Sequence, residues 1–213
     1  MIGWMIMSNI DVVLNYFDEL FLNPKCELNY SKDYELLIAV MLSAQTTDKR
    51  VNKVTKILFD RYSDLKSLKE ADIEDIKKIV RELGSYTKKA SAVIEIARIL
   101  DEKYGGIVPM DRTSLESLPM VGRKTCNVVL SEYFSIPNIA VDTHVDRVSK
   151  RLGFAKENDN VLVVEKKLKR LIPKDCWNKA HLQFVLFGRY HCMAKKPLCD
   201  NCKLSNICKM KKH

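Results

Sequence analysis

Apolar residues recur along this chain at the spacing of an α-helix and almost nowhere at the spacing of a strand. Ile10, Val13, Leu14, Phe17, Leu20 and Phe21 make one stripe, and Val51, Val54, Ile57 and Leu58 another. Each stripe puts its apolar side chains on one helix face. The same pattern predicts helices across 72–82, 87–103, 123–134, 143–152, 161–171 and 177–190. Pro24, Gly84, Gly105, Gly106, Pro109, Pro119, Gly122, Pro137, Gly153 and Pro173 fall mainly between the stripes, as residues that end helices and make short turns do. The fold class read from this is all-α. No internal repeat, low-complexity tract or long linker interrupts the pattern, so any domain division is spatial and has no flexible connector to mark it. From Cys192 onward the apolar periodicity stops and the chain becomes rich in Cys and Lys, which suggests a small knot held by something other than an apolar core.

A chain of 213 residues buries a core without disulfides. The formal charge of +9 favours polyanionic partners, because Lys and Arg displace counterions from a phosphate backbone; by itself the charge does not separate such proteins from basic proteins that never touch nucleic acid. Seven cysteines, an odd number, argue against a disulfide framework and for metal in a reducing compartment. The opening stretch Met1–Met7 is too short for a secretory apolar region and lacks a basic flank, and Met5 or Met7 offers an alternative start. No apolar run approaches the roughly 20 residues of a membrane span, so the expectation is a cytoplasmic protein with no membrane partner.

Cys192, Cys199, Cys202 and Cys208 are spaced C-x6-C-x2-C-x5-C, which brings four thiolates within reach of one centre. A tetrahedral zinc knot usually presents two close pairs, whereas only Cys199 and Cys202 form a C-x-x-C here. One pair with two outliers suits a [4Fe–4S] cubane at least as well, and spacing leaves both open. Cys26, Cys126 and Cys176 are scattered singly and read as small buried apolar residues.

The segment from Leu118 to Leu130 ends one helix at a Pro-containing turn and begins another at Gly122. Hairpin N–H groups and the next helix N-terminus point outward together and make a sequence-blind site for a phosphate oxygen, although an ordinary αα turn has the same outline. Lys124 sits in the first turn, where the helix dipole disfavours an ammonium and favours the neutral, nucleophilic amine. Downstream, Asp142 stands between a short apolar run and an amphipathic helix. It can cap that helix, it can stabilise positive charge or assist proton transfer, and the two roles are compatible.

Together, Leu-Pro-x-Val-Gly-Arg-Lys-Thr at 118–125, Val-Asp-Thr-His at 141–144 and the cysteine ending resemble endonuclease III, of the helix-hairpin-helix DNA glycosylases. The segments 36–48 and 139–145 extend the match. The resemblance implies a six-helix domain at 26–136 containing the helix-hairpin-helix at about 112–134. It also implies a cluster-bearing domain from 1–25 plus 137–213, with DNA in a cleft between the two. It implies a [4Fe–4S] cluster on Cys192, Cys199, Cys202 and Cys208, and catalysis by Lys124 and Asp142. DNA contacts are implied at Gln45, Val121, Gly122, Arg123, Thr125, His144, Lys195 and Lys196, with Gln45 filling the gap left by an extruded base. The implied partner is duplex DNA containing damaged pyrimidines or abasic sites, met by a monomer associated with the nucleoid. Two positions depart from the family pattern: Met120 stands where the hairpin commonly has glycine, and Ser85 where relatives often carry a bulky apolar wedge. A monofunctional mismatch glycosylase is a rival reading that Lys124 opposes, and a non-catalytic DNA-binding iron–sulfur protein is another.

Overall fold

The computed structural model describes residues 8–210, and the reading of Met1–Met7 and its alternative starts lies outside the described residues. In chain order the helices are α1 (Asn9–Leu20), α2 (Asp33–Leu42), α3 (Asp48–Arg61), α4 (Leu65–Lys69), α5 (Ile73–Val80), α6 (Tyr86–Tyr104), α7 (Arg112–Glu116), α8 (Arg123–Glu132), α9 (Thr143–Arg151), α10 (Val161–Leu171) and α11 (Trp177–Tyr190). No strand occurs among the described residues, and the fold is all-α. The chain forms two compact units, one from Cys26 to Ser135 and one from Met1–Lys25 together with Ile136–His213.

In the Cys26–Ser135 unit, α2 is the central element, packed against α3, α6 and α8. Every residue from Tyr34 to Leu42 is buried, so α2 has no polar face to show a period. A helix buried all round reads as a short apolar run, which is why the helical stripes omit it. At its start the Glu35 carboxylate accepts N–H bonds from Ser31 at 2.7 Å and Lys32 at 3.3 Å, satisfying orphan donors of the first turn. The nineteen-residue α6 covers the core with Ala90, Val93, Ile96, Ala97 and Leu100. It stops at Gly105, whose φ of 61° is left-handed backbone, and the Gly106 N–H returns to the Leu100 carbonyl at 2.8 Å. The helices α4 and α7 have five residues each, too few for a periodic signal, and are started by the capping side chains of Asp64 and Asp111.

The second unit gathers α1, α9, α10 and α11 around one core. Phe17 of α1 meets Phe184 and Phe187 of α11 with ring centroids 5.0 and 4.8 Å apart. Each such fully buried ring contributes on the order of 2–3 kcal/mol by removal of apolar surface from water. A side chain on Gly188 would put its Cβ 2.8 Å from the His144 Cβ, so glycine is what lets α11 lie this close to α9. No described helix is long and apolar enough to cross a membrane.

Candidate functional site

In the Cys26–Ser135 unit the hairpin is fixed by its flanking helices: Arg112 on α7 donates to the Asn127 side chain on α8. The Val121 side chain is only 5% exposed, and its N–H is used within the turn, donating to the Leu118 carbonyl at 3.1 Å. Gly122 is the N-cap of α8 and, as glycine, makes no side-chain capping bond. Gly122, Arg123 and Lys124 are exposed there and Thr125 is half-buried. Met120 adopts φ 58°, so the turn keeps left-handed backbone with a side chain in place of hydrogen. That conformation costs a non-glycine residue on the order of 1–2 kcal/mol. In the second turn of α8, burial pushes the Cys126 thiol up.

Exposed Ser135, at φ 55°, shares the left-handed conformation at the end of this unit, as do two other exposed residues, Gln45 at φ 58° between α2 and α3 and Ser85 at φ 57° at the start of α6. Both lie beside Lys89, which sequence reasoning did not single out. Lys89 is 1% exposed, and its ammonium donates to the carbonyls of Leu42 at 2.9 Å and Ala44 at 2.8 Å. Burial pushes this lysine below the usual ammonium range, and no carboxylate pairs with it among the described residues. A signal was present: Lys89 precedes Val93, Ile96 and Leu100 at helical spacing and thus occupies a position on the apolar stripe of α6.

In the other unit, Asp142 is the N-cap of α9. Its Oδ1 accepts the N–H groups of His144 at 2.8 Å and Val145 at 2.9 Å, so the capping role is present in the structure. The Arg147 guanidinium lies 3.3 Å from His144 Nδ1 and donates to the Gly188 carbonyl at 2.7 Å, tying α9 to α11. One turn further on, Arg151 donates to the carbonyls of Cys192 and Met193 at 3.3 and 2.8 Å and approaches the Cys192 Sγ at 3.3 Å. This half-buried Arg147–Arg151 pair was also missed. Its signal is two arginines four apart, facing the cysteine-rich segment.

Cys192, Cys199, Cys202 and Cys208 line one cavity of about 300 Å³, open mouth included, whose walls include Leu152, Phe187 and Leu204. Burial pushes the Cys202 thiol up, and the thiols of Cys192, Cys208 and Cys199 push it the same way. Among the described residues, no three His, Cys, Asp or Glu side chains converge closely enough to hold a single metal ion. Lys195 and Lys196 are exposed in the loop between the first two cysteines. Of the remaining cysteines Cys126 is buried and Cys26 half-buried, whereas Cys176 is exposed, contrary to its reading as a core residue: it precedes α11 at the end of a single 3₁₀ turn, outside that helix's packed face.

The family model described as HhH-GPD superfamily base excision DNA repair protein matches residues 38–174. The chain is 44% identical over 203 residues to endonuclease III of Bacillus subtilis (strain 168), a match covering 95% of this chain and 93% of that one. This chain belongs to the endonuclease III family. Endonuclease III of Escherichia coli (strain K12) is 45% identical over 189 residues, 89% of either chain. Among solved structures, a non-covalent endonuclease III–DNA complex superposes with a TM-score of 0.91 at 46% identity, covering 96% of both chains. A trapped endonuclease III–DNA covalent intermediate gives 0.90 at 45% identity, covering 96% of this chain and 97% of that one.

Proposed function

We propose that this protein is a base-excision DNA glycosylase with lyase activity, removing oxidised pyrimidines from duplex DNA and nicking the strand 3′ of the resulting abasic site. The observation that carries the reading is an exposed lysine in the first turn of α8, just after a glycine N-cap, in a member of the endonuclease III family. The N-terminus and dipole of α8 favour a phosphate oxygen, so Gly122, Arg123 and Thr125 grip the backbone without reading bases, with the buried Val121 in the same turn. The likeness to a structure described as a trapped endonuclease III–DNA covalent intermediate supports a covalent route.

The target C1′ is unreachable inside a stacked duplex, so the damaged nucleotide is extruded, which costs least for a poorly stacked base. Gln45 fills the gap it leaves. Lys124 Nζ then attacks C1′, the N-glycosidic bond breaks with its electron pair going to the departing base, and the sugar ring opens to a Schiff base on Lys124. Loss of a C2′ proton expels the 3′ phosphate by β-elimination. Asp142 stabilises the positive charge on the sugar and assists the proton transfers. His144, in the first turn of the helix that Asp142 caps, adds a backbone contact.

The four cysteines line one cavity with apolar walls, which suits the [4Fe–4S] cluster that membership of the endonuclease III family implies for them. The cluster, when bound, cross-links the 192–208 segment, and Lys195 and Lys196 in that segment meet phosphates. Such a substrate places the protein at the nucleoid, in the cytoplasm.

Borohydride trapping on a duplex with one oxidised pyrimidine tests the reading. Wild type forms a covalent adduct, whereas Lys124→Ala forms none and binds the same duplex within threefold. Adduct formation by Lys124→Ala would refute the assignment of the nucleophile.

A further inference from the structure

Gln45 and Ser85, neither of them glycine, both hold left-handed backbone on exposed segments of the same unit. Residues in that conformation persist only where their surroundings fix them, and such places cluster where a protein grips a ligand. Lys89 links the two segments: its main chain follows Ser85 by one helical turn, and its side chain holds the turn that leads to Gln45. Its backbone N–H donates to the Ser85 carbonyl at 3.1 Å, and its ammonium donates to the Leu42 and Ala44 carbonyls immediately before Gln45. The loop's own bonds are local, such as the Thr46 N–H to the Ser43 carbonyl at 3.1 Å, and the buried Thr46 Oγ1 adds none among the described residues. An aliphatic side chain would fill the same volume without desolvating a charge. What only the ammonium supplies is two donors, satisfying carbonyls at the end of α2 and in the turn after it.

We infer that Lys89 is a positioning residue that holds Gln45 and Ser85 in one fixed relation, so that extrusion of the damaged nucleotide depends on it while bond chemistry at Lys124 does not. This rests on the glycosylase reading above. A loop that carries the gap-filling amide must arrive already shaped, because a displacement of about 1 Å in a positioning element can cost on the order of a hundredfold in rate.

The test compares wild type, Lys89→Met, Lys89→Gln and Gln45→Ala in single-turnover base release. The substrate is a duplex with one oxidised pyrimidine and a 2-aminopurine beside its partner base, whose fluorescence rises as stacking is lost. Borohydride trapping on a single-stranded abasic oligonucleotide, where nothing needs to be extruded, is run in parallel. Lys89→Met is expected to slow base release from the duplex by about ten- to a hundredfold and to halve the fluorescence rise. It should slow single-strand trapping by less than about threefold, with Lys89→Gln, which keeps a donor, in between on the duplex. The double variant Lys89→Met/Gln45→Ala should be little slower than the slower single variant, because both act through one step. Equal losses on both substrates, an undiminished fluorescence rise, or effects that multiply would each overturn the inference. If Lys89→Met fails to show a cooperative melt, Lys89→Gln makes the same comparison. Failure of the wild type itself to release the base from the duplex would sink the glycosylase reading, a result distinct from wild-type release with an unimpaired Lys89 variant.

Discussion

At Asp142 one carboxylate has a structural duty and a proposed chemical one, and two substitutions separate them. Asn retains an oxygen that can accept the His144 and Val145 N–H groups, whereas Ala retains none. Asp142→Asn should therefore keep its melting temperature while Asp142→Ala loses about 1 kcal/mol, and both should lose on the order of a hundredfold or more in turnover. Thermal melts alongside single-turnover rates read both effects. Unchanged turnover in Asp142→Asn would leave the residue a cap alone. Met120 offers the opposite kind of test. Its side chain is 43% exposed, so Met120→Gly removes left-handed strain and little packing. The expected gain is about 1 kcal/mol, or 2–4 °C in melting temperature, visible by calorimetry. At this scale the sequence spoke clearly where a residue type is unusual for its place, as with Lys124 after Gly-Arg or four clustered cysteines. It was silent about Lys89, because a lysine in an amphipathic helix reads as solvated charge unless its exact position on the stripe is weighed.

Helices with one wet face were legible from spacing, and α6, α9, α10 and α11 begin and end within a residue or so of where the pattern puts them. The central helix α2 was not, since burial on all sides removes the contrast that a period needs, and α4 and α7 are shorter than two turns. Equally invisible was the close approach of α11 to α9. A Cβ at 188 would stand 2.8 Å from the His144 Cβ and 3.2 Å from Val148 Cγ2, so the helices must part to admit it. Gly188→Ala is expected to cost about 1–3 kcal/mol and to lower the melting temperature by several degrees. It should also slow turnover, because Asp142 is the N-cap of α9. A melt equal to wild type would show that α9 and α11 relax at no cost.

Across the whole molecule the net charge of +9 sets how binding responds to salt. Each phosphate neutralised adds about 0.9 to the slope of log affinity against log salt, so Lys195→Ala and Lys196→Ala should each reduce that slope by about 0.9 without changing preference among lesions. Fluorescence anisotropy at four salt concentrations would measure it, and slopes equal to wild type would assign the two lysines to solvent. The division of the chain has an effect of another kind. Residues 26–135 form one compact unit set inside the sequence of the other. During synthesis that inserted unit is complete in sequence while the remainder is still being made, and domains generally fold as units in the order they emerge. Helix α1 has to wait: the aromatic partners of Phe17 are Phe184 and Phe187, more than 160 residues downstream. Until they leave the ribosome, the apolar stripe of the first helix is an unmatched surface for a holding chaperone, and the proposed cluster, whose four cysteines follow α11, would be assembled only in a chain whose inserted unit has already folded.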